Sequence, residues 1–126
     1  MPVTFALWCV LVASMLPFVW GTLAKSTPSY DNSQPRLQAK TGWRQRADWA
    51  QQNSWEALAP FAAAVIIAHL VHAQQSNIDW LAGLFIVFRL LYGGAYLMNL
   101  PTLRSLIWSG GLVCVIGLYV VAARVA

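Results

Sequence analysis

Apolar positions in this chain fall into long runs separated by short polar stretches. From Val3 to Leu23 only Thr4, Ser14, Pro17 and Thr22 interrupt the first run. About 20 helical residues at 1.5 Å rise span roughly 30 Å, the thickness of a bilayer's hydrocarbon core. No basic segment precedes the run, and it is longer than the apolar part of a secretory leader, so it reads as a retained helix over about 3–23. Pro17 predicts a kink. The polar stretch from Ala24 to about Thr41, with turn formers at Pro28, Asp31-Asn32 and Pro35, predicts a solvent-exposed loop. No breaker follows Gly42. A second helix over about 42–71 therefore begins polar at headgroup depth and enters the bilayer from about Trp55, with another kink at Pro60. A third helix over about 78–98 carries Asp79 in its first turn, where a negative charge suits the helix dipole. A short connection containing Pro101 leads to a fourth helix over about 104–123, closed by Arg124. Gly110, Gly111 and Gly117 allow a neighbouring helix to approach closely. The pattern predicts an all-α, up-down four-helix bundle, one domain over 1–126 with no internal repeat.

Composition moves this bundle into a membrane. Of 126 residues 59% are hydrophobic and 10% charged, with a mean hydropathy of +0.57. A soluble domain carries roughly 25% charged residues, so this chain lacks the polar surface to face water all round. Seven Trp suit two membrane–water interfaces. The net charge of +4 comes from scattered Lys and Arg with no basic face, which argues against nucleic acid as a partner. Cys9 and Cys114 each stand alone in an apolar run and read as small buried hydrophobes. Lys25, Arg36, Lys40, Arg44, Arg46 and Arg104 fall in the first and third connections, against Arg124 on the other side. That asymmetry puts both termini outside and those two connections in the cytoplasm.

Candidate chemistry gathers around Arg46–Phe61, where a charged, amide-rich segment turns apolar without a turn signal. Asn53 and Glu56 are three residues apart, hence on one helix face. Arg89 lies near the middle of the third helix, where a charge costs at least ~2.5 kcal/mol on insertion scales. It must face the bundle interior or a wet cleft. Tyr92 and Tyr96 extend the same face. Arg104 and Ser105 sit at the entrance of the fourth helix. All of these lie at one depth, as a cleft for a polar, charged ligand requires; a plainer account pairs Arg89 with Glu56 to hold helices together. His69 and His72 lack a carboxylate or thiolate to complete a metal set and read as interface-facing imidazoles.

Arg46-Ala47, Asn53-x-x-Glu56-x-x-x-Pro60-Phe61, Arg89-x-x-Tyr92-x-x-x-Tyr96 and Pro101-x-x-Arg104-Ser105 occur in that order. This series resembles the MAPEG family, the membrane-associated proteins of eicosanoid and glutathione metabolism, and in particular its microsomal glutathione transferases and their bacterial relatives. The motifs cover about Arg46 to Gly110, and helix number and length cover the whole chain. The resemblance implies a homotrimer of four-helix bundles in a bacterial inner (cell) membrane, with glutathione as co-substrate in clefts between subunits on the cytoplasmic side. The activity it implies is that of a glutathione-dependent transferase or peroxidase acting on lipophilic electrophiles. Asn53, Glu56, Arg89, Tyr92 and Tyr96 match glutathione-binding positions. Arg104 would stabilise the thiolate and Ser105 would donate a hydrogen bond to the sulfur.

The chain departs from that pattern at three places. Trp49 stands where glutathione-using members commonly carry a second base, Gln52 where a basic residue or His is frequent, and Trp108 where some members have Tyr. These departures favour the alternative, a non-catalytic lipid-binding or scaffold protein of the same fold. A haem or quinone subunit built on His69 and His72 is a third reading. Its haem version is checked by an absorption spectrum of the purified protein, which is expected to show no Soret band.

Overall fold

The computed structural model describes residues 2–35 and 40–125, and Arg36, one of the bases counted for orientation, lies outside the described residues. It contains α1 (Phe5–Ala24), α2 (Gly42–Leu70), α3 (Gln75–Leu97) and α4 (Pro101–Ala123). The chain is an all-α bundle. α1 packs chiefly on α2 and α3 chiefly on α4, while α2 also touches α3 and α4. Among the described residues, α1, α3 and α4 are long and apolar enough to cross a membrane. α2 begins polar, from Gly42 to Gln52, and its second half still carries Asn53, Glu56 and His69 among the apolar residues. α1 and α2 continue through Pro17 and Pro60, each of which removes one backbone donor from the ladder.

The core is built from small residues on facing helices. Ala6, Ala13, Ala64, Ala68 and Ala82 are buried and let the backbones approach, while Phe61 of α2 stacks on Phe85 of α3 with ring centroids 3.9 Å apart. That stack fixes α2 against α3 one helical turn from Arg89. Nearer the loop end, the six-membered ring of Trp20 of α1 packs against Gly93 of α3, where the missing side chain leaves room for the indole.

Polar groups at the helix ends are answered by neighbouring helices. α3 begins at Gln75, so Asp79 is not in its first turn as the sequence pattern suggests. Its carboxylate instead accepts from the Ala6 N–H of α1 at 3.0 Å and from Gln75 Nε2 at 2.8 Å. Ala6 sits in the first turn of α1, whose free N–H groups and positive dipole end make the better partner. Thr4 caps α1 by accepting from Leu7 N, and its hydroxyl lies 2.8 Å from His69 Nε2. His69 Nδ1 donates to the Val65 carbonyl at 2.8 Å, so Nε2 accepts from Thr4. His72 adopts a positive φ of 56° just past α2, where the Ala73 N–H reaches back to the Ala68 carbonyl. Asn99 does the same after α3 with φ 57°, and the Leu100 N–H returns to Ala95. Each closes its helix by a left-handed residue, a place more often held by Gly. The Asn99 turn lets α4 start at Pro101, whose missing N–H costs nothing in the first turn.

A methyl at Gly93 would overlap the six-membered ring of Trp20, whereas one at Gly94 meets nothing within 4 Å. Gly93→Ala is expected to destabilise the protein by about 1–3 kcal/mol, and Gly94→Ala to leave it unchanged or slightly stabilised. Thermal denaturation of the two variants in detergent makes the comparison.

Candidate functional site

Arg89 is 4% exposed, near the loop end of an apolar bundle. Its Nη2 donates to Asn53 Oδ1 at 2.8 Å and to Ser54 Oγ at 3.4 Å, both on α2. Ser54 is itself buried, and its own O–H donates to the Ala50 carbonyl at 2.8 Å. With that proton committed to the backbone, the oxygen presents only lone pairs to the guanidinium. The Arg89 guanidinium also lies over the Tyr92 ring, 4.3 Å from its centroid.

No ion pair joins Arg89 to Glu56 among the described residues; the one such pair is Lys40–Asp48 at 3.8 Å. The account in which Arg89 and Glu56 merely clamp two helices is therefore corrected. α2 meets the charge with an amide and a hydroxyl, and Glu56 is exposed one turn beyond. Neither Arg89 Nε nor Nη1 has a hydrogen-bond partner among the described residues.

Asn53, Glu56 and Arg89 border one cavity of about 260 Å³ between α2, α3 and α4. Its remaining wall is largely apolar, including Pro60, Phe85, Leu112 and Val115, with the Trp108 indole at the side. The space is amphiphilic, with both signs of charge at one end and hydrocarbon along the rest. A second arrangement adjoins it. Tyr92 and Tyr96 meet edge to face at 5.5 Å, the Arg104 guanidinium lies 4.4 Å above Tyr96, and Trp49 approaches Tyr96 at 6.3 Å. The two arginines thus cover successive tyrosines along α3.

Of the seven residues singled out from the sequence, Asn53, Glu56 and Arg89 line the cavity. Tyr92, Tyr96 and Arg104 form the stack beside it. Ser105 borders neither: it is exposed, and its carbonyl accepts from Ser109 Oγ at 3.0 Å. Sequence reasoning passed over Ser54. The available signal was its spacing, since Ala47, Ala50, Ser54 and Phe61 form one buried face on which a hydroxyl needs a partner. It also missed that Arg46 serves α3, donating through Nε and Nη2 to the Leu97 carbonyl at 3.3 and 3.1 Å. A cation at a helix C-terminus satisfies an orphan carbonyl and the negative end of the dipole together. The three departures also have places. Gln52 donates to Asp48 at 3.2 Å, Trp49 packs near Tyr96, and Trp108 faces the cavity.

Residues 3–124 match the model of the MAPEG family. No curated protein and no solved structure matches the chain.

Asn53→Ala removes the nearer acceptor from a buried guanidinium and is expected to cost about 1–3 kcal/mol of stability. Ser105→Ala, at an exposed hydroxyl outside the cavity, is expected to stay within about 0.5 kcal/mol of the parent. Both are read from unfolding midpoints of the purified protein in one detergent.

Proposed function

This chain belongs to the MAPEG family, and from that premise we propose that it is a membrane-embedded, glutathione-dependent transferase or peroxidase-like enzyme acting on lipophilic electrophiles. The observation that carries the reading is the Arg89 seat: a buried guanidinium with no carboxylate partner among the described residues, bordering an amphiphilic cavity also lined by Glu56, which is in no ion pair with them. A desolvated cation held this way gains most from an anionic ligand.

Glutathione offers two carboxylates, one ammonium group and two amides. Arg89 pairs with a carboxylate, Glu56 with the ammonium, and the Asn53 NH₂, left over once Oδ1 has accepted from Arg89, donates to an amide carbonyl. Tyr92 and Tyr96 hold the two guanidinium planes. Arg104 stabilises the thiolate. The thiol of a free Cys has a pKa of about 8.5, and each unit by which a nearby cation lowers such a value corresponds to about 1.4 kcal/mol. Ser105 donates to the sulfur. The thiol proton leaves to solvent, sulfur forms a bond to the electrophilic carbon, and the leaving group departs with its electron pair. In the family's homotrimer the cleft lies between bundles, which is where an exposed Ser105 and a half-buried Arg104 become useful. Lys25, Lys40, Arg44, Arg46 and Arg104 at one end orient that end to the cytoplasm and both termini outward, with the inner membrane of a bacterium as the location.

A second reading, a non-catalytic lipid-binding or scaffold protein, draws on Trp108 in the cavity wall and on Arg104 and Ser105 outside it.

Detergent-purified protein is expected to bind glutathione by calorimetry and to conjugate a generic electrophile. Arg104→Ala should shift the rate profile to higher pH, because the thiolate then forms only nearer the thiol's own pKa. Absence of both binding and conjugation at millimolar glutathione, with the oligomer intact, would sink the enzymatic reading. If Arg104→Ala is silent while bulky replacements of Leu112 abolish lipid binding, the second reading holds.

A further inference from the structure

A second polar cavity lies away from the Arg89 site, at the junction of α1, the loop and α2. It holds about 150 Å³ and is lined by Thr27, Ser29, Tyr30, Lys40, Thr41 and Arg44, with Ala24 of α1 at its edge. Two of these side chains are cations and four carry hydroxyls. A third cation, Lys25, lies over the Tyr30 ring at 5.8 Å. Thr41 and Arg44 also mark the start of α2. Its N-cap residue, Thr41, makes no side-chain cap, and no acidic residue stands in its first turn. Its positive dipole end is therefore unanswered by any carboxylate of its own. Of the acids nearby, Asp31 accepts from Ser33 N and Oγ at 2.9 and 2.6 Å, and Asp48 pairs with the cavity's own Lys40 at 3.8 Å, which leaves Arg44 as the lining cation in no ion pair among the described residues.

The decisive feature is Tyr30. Its Oη is buried and has no hydrogen-bond partner among the described residues. A buried hydroxyl in that condition is costly unless something outside the chain accepts from it. A tetrahedral oxyanion, an acceptor with no donors, is the complementary group for hydroxyls, Lys, Arg and a helix N-terminus together.

We propose that this cavity binds the phosphate of an anionic phospholipid headgroup. The position argues for lipid over a soluble phosphate. The cavity opens at the end of the apolar helix α1, and beside it the exposed Trp43 lies under the Arg44 guanidinium, 4.7 Å from Cζ to ring centroid. An indole there sits at headgroup depth. The site is independent of the glutathione reading, since none of its residues borders the Arg89 cavity.

The test uses the full chain in nanodiscs of phosphatidylcholine alone, of phosphatidylcholine with about one phosphatidylglycerol in five, and of phosphatidylcholine with inorganic phosphate at matched ionic strength. Unfolding midpoint and lipid retention in native mass spectrometry are the readouts. Phosphatidylglycerol should raise the midpoint and remain bound. Tyr30→Phe keeps every charge and removes only the orphan hydroxyl. It should be at least as stable as the parent in phosphatidylcholine, yet hold phosphatidylglycerol about tenfold more weakly. Arg44→Gln should lose the increment as well; if it fails to fold, Tyr30→Phe decides alone. An undiminished phosphatidylglycerol effect in Tyr30→Phe overturns the proposal, because general attraction of a basic loop does not depend on a phenol. An equal gain from inorganic phosphate overturns the lipid assignment.

Discussion

A guanidinium inside an apolar bundle must be surrounded by acceptors that the bundle itself supplies, and much of this structure follows from how Arg89 meets that requirement. One charged residue in the middle of a helix costs a few kcal/mol to place in hydrocarbon. α2 answers with Asn53 and Ser54, and α3 answers with the face of Tyr92. These contacts work only if α2 and α3 hold one rotation and one height relative to each other. The Phe61–Phe85 stack, one turn from Arg89 along α3, imposes the same register by packing. Electrostatics and close packing therefore demand the same arrangement, which is the consistency expected of a sequence with one preferred fold.

The same economy governs the ends. Helices in a bilayer end where water becomes available, yet several terminal groups here are satisfied across the bundle. Asp79 of α3 holds the start of α1, His69 of α2 reaches Thr4 of α1, and Arg46 of α2 covers the last carbonyl of α3. Each contact joins a side chain to the end of a different helix, so each also fixes a helix at its height. Between the two ends, apart from the Phe61–Phe85 stack, the contacts are mostly apolar and small, and they specify close approach more than register. The polar ties and the Arg89 seat provide what alanines and glycines cannot.

Two different kinds of positive site occur in this protein. At Arg89 the charge is desolvated and rigid, with one edge of the guanidinium tied back to α2 and an apolar chamber beyond. At the start of α2 the charges are several and held at the loop, with Lys40 paired to Asp48 and Arg44 donating to the Ser26 carbonyl, beside the helix end and its neighbouring hydroxyls. The first suits selective recognition of one amphiphilic or zwitterionic molecule. The second suits a headgroup that exchanges with the surrounding membrane.

Run lengths, low charge and the placement of Pro and polar stretches determined four helices, a membrane setting and an up-down bundle, because the bilayer restricts spanning segments to apolar helices of known length. The ordered motifs likewise determined the family. Burial of Arg89 was readable too, since no charge at that depth can face lipid. Its partner was not. Asn53, Ser54 and Glu56 all lie within one turn of α2, and only the rotation set by Phe61 against Phe85 turned the amide and hydroxyl toward the guanidinium and left the carboxylate on the cavity wall, out of contact with it. Asp79 failed as a first-turn residue for a similar reason. Helix ends move by a turn at little local cost, and tertiary contact with α1 chose the height of α3. Whether a side chain reaches a cavity, a neighbouring helix or open lipid depends on rotations of a few tens of degrees. Periodicity leaves those rotations open, and packing between helices decides them.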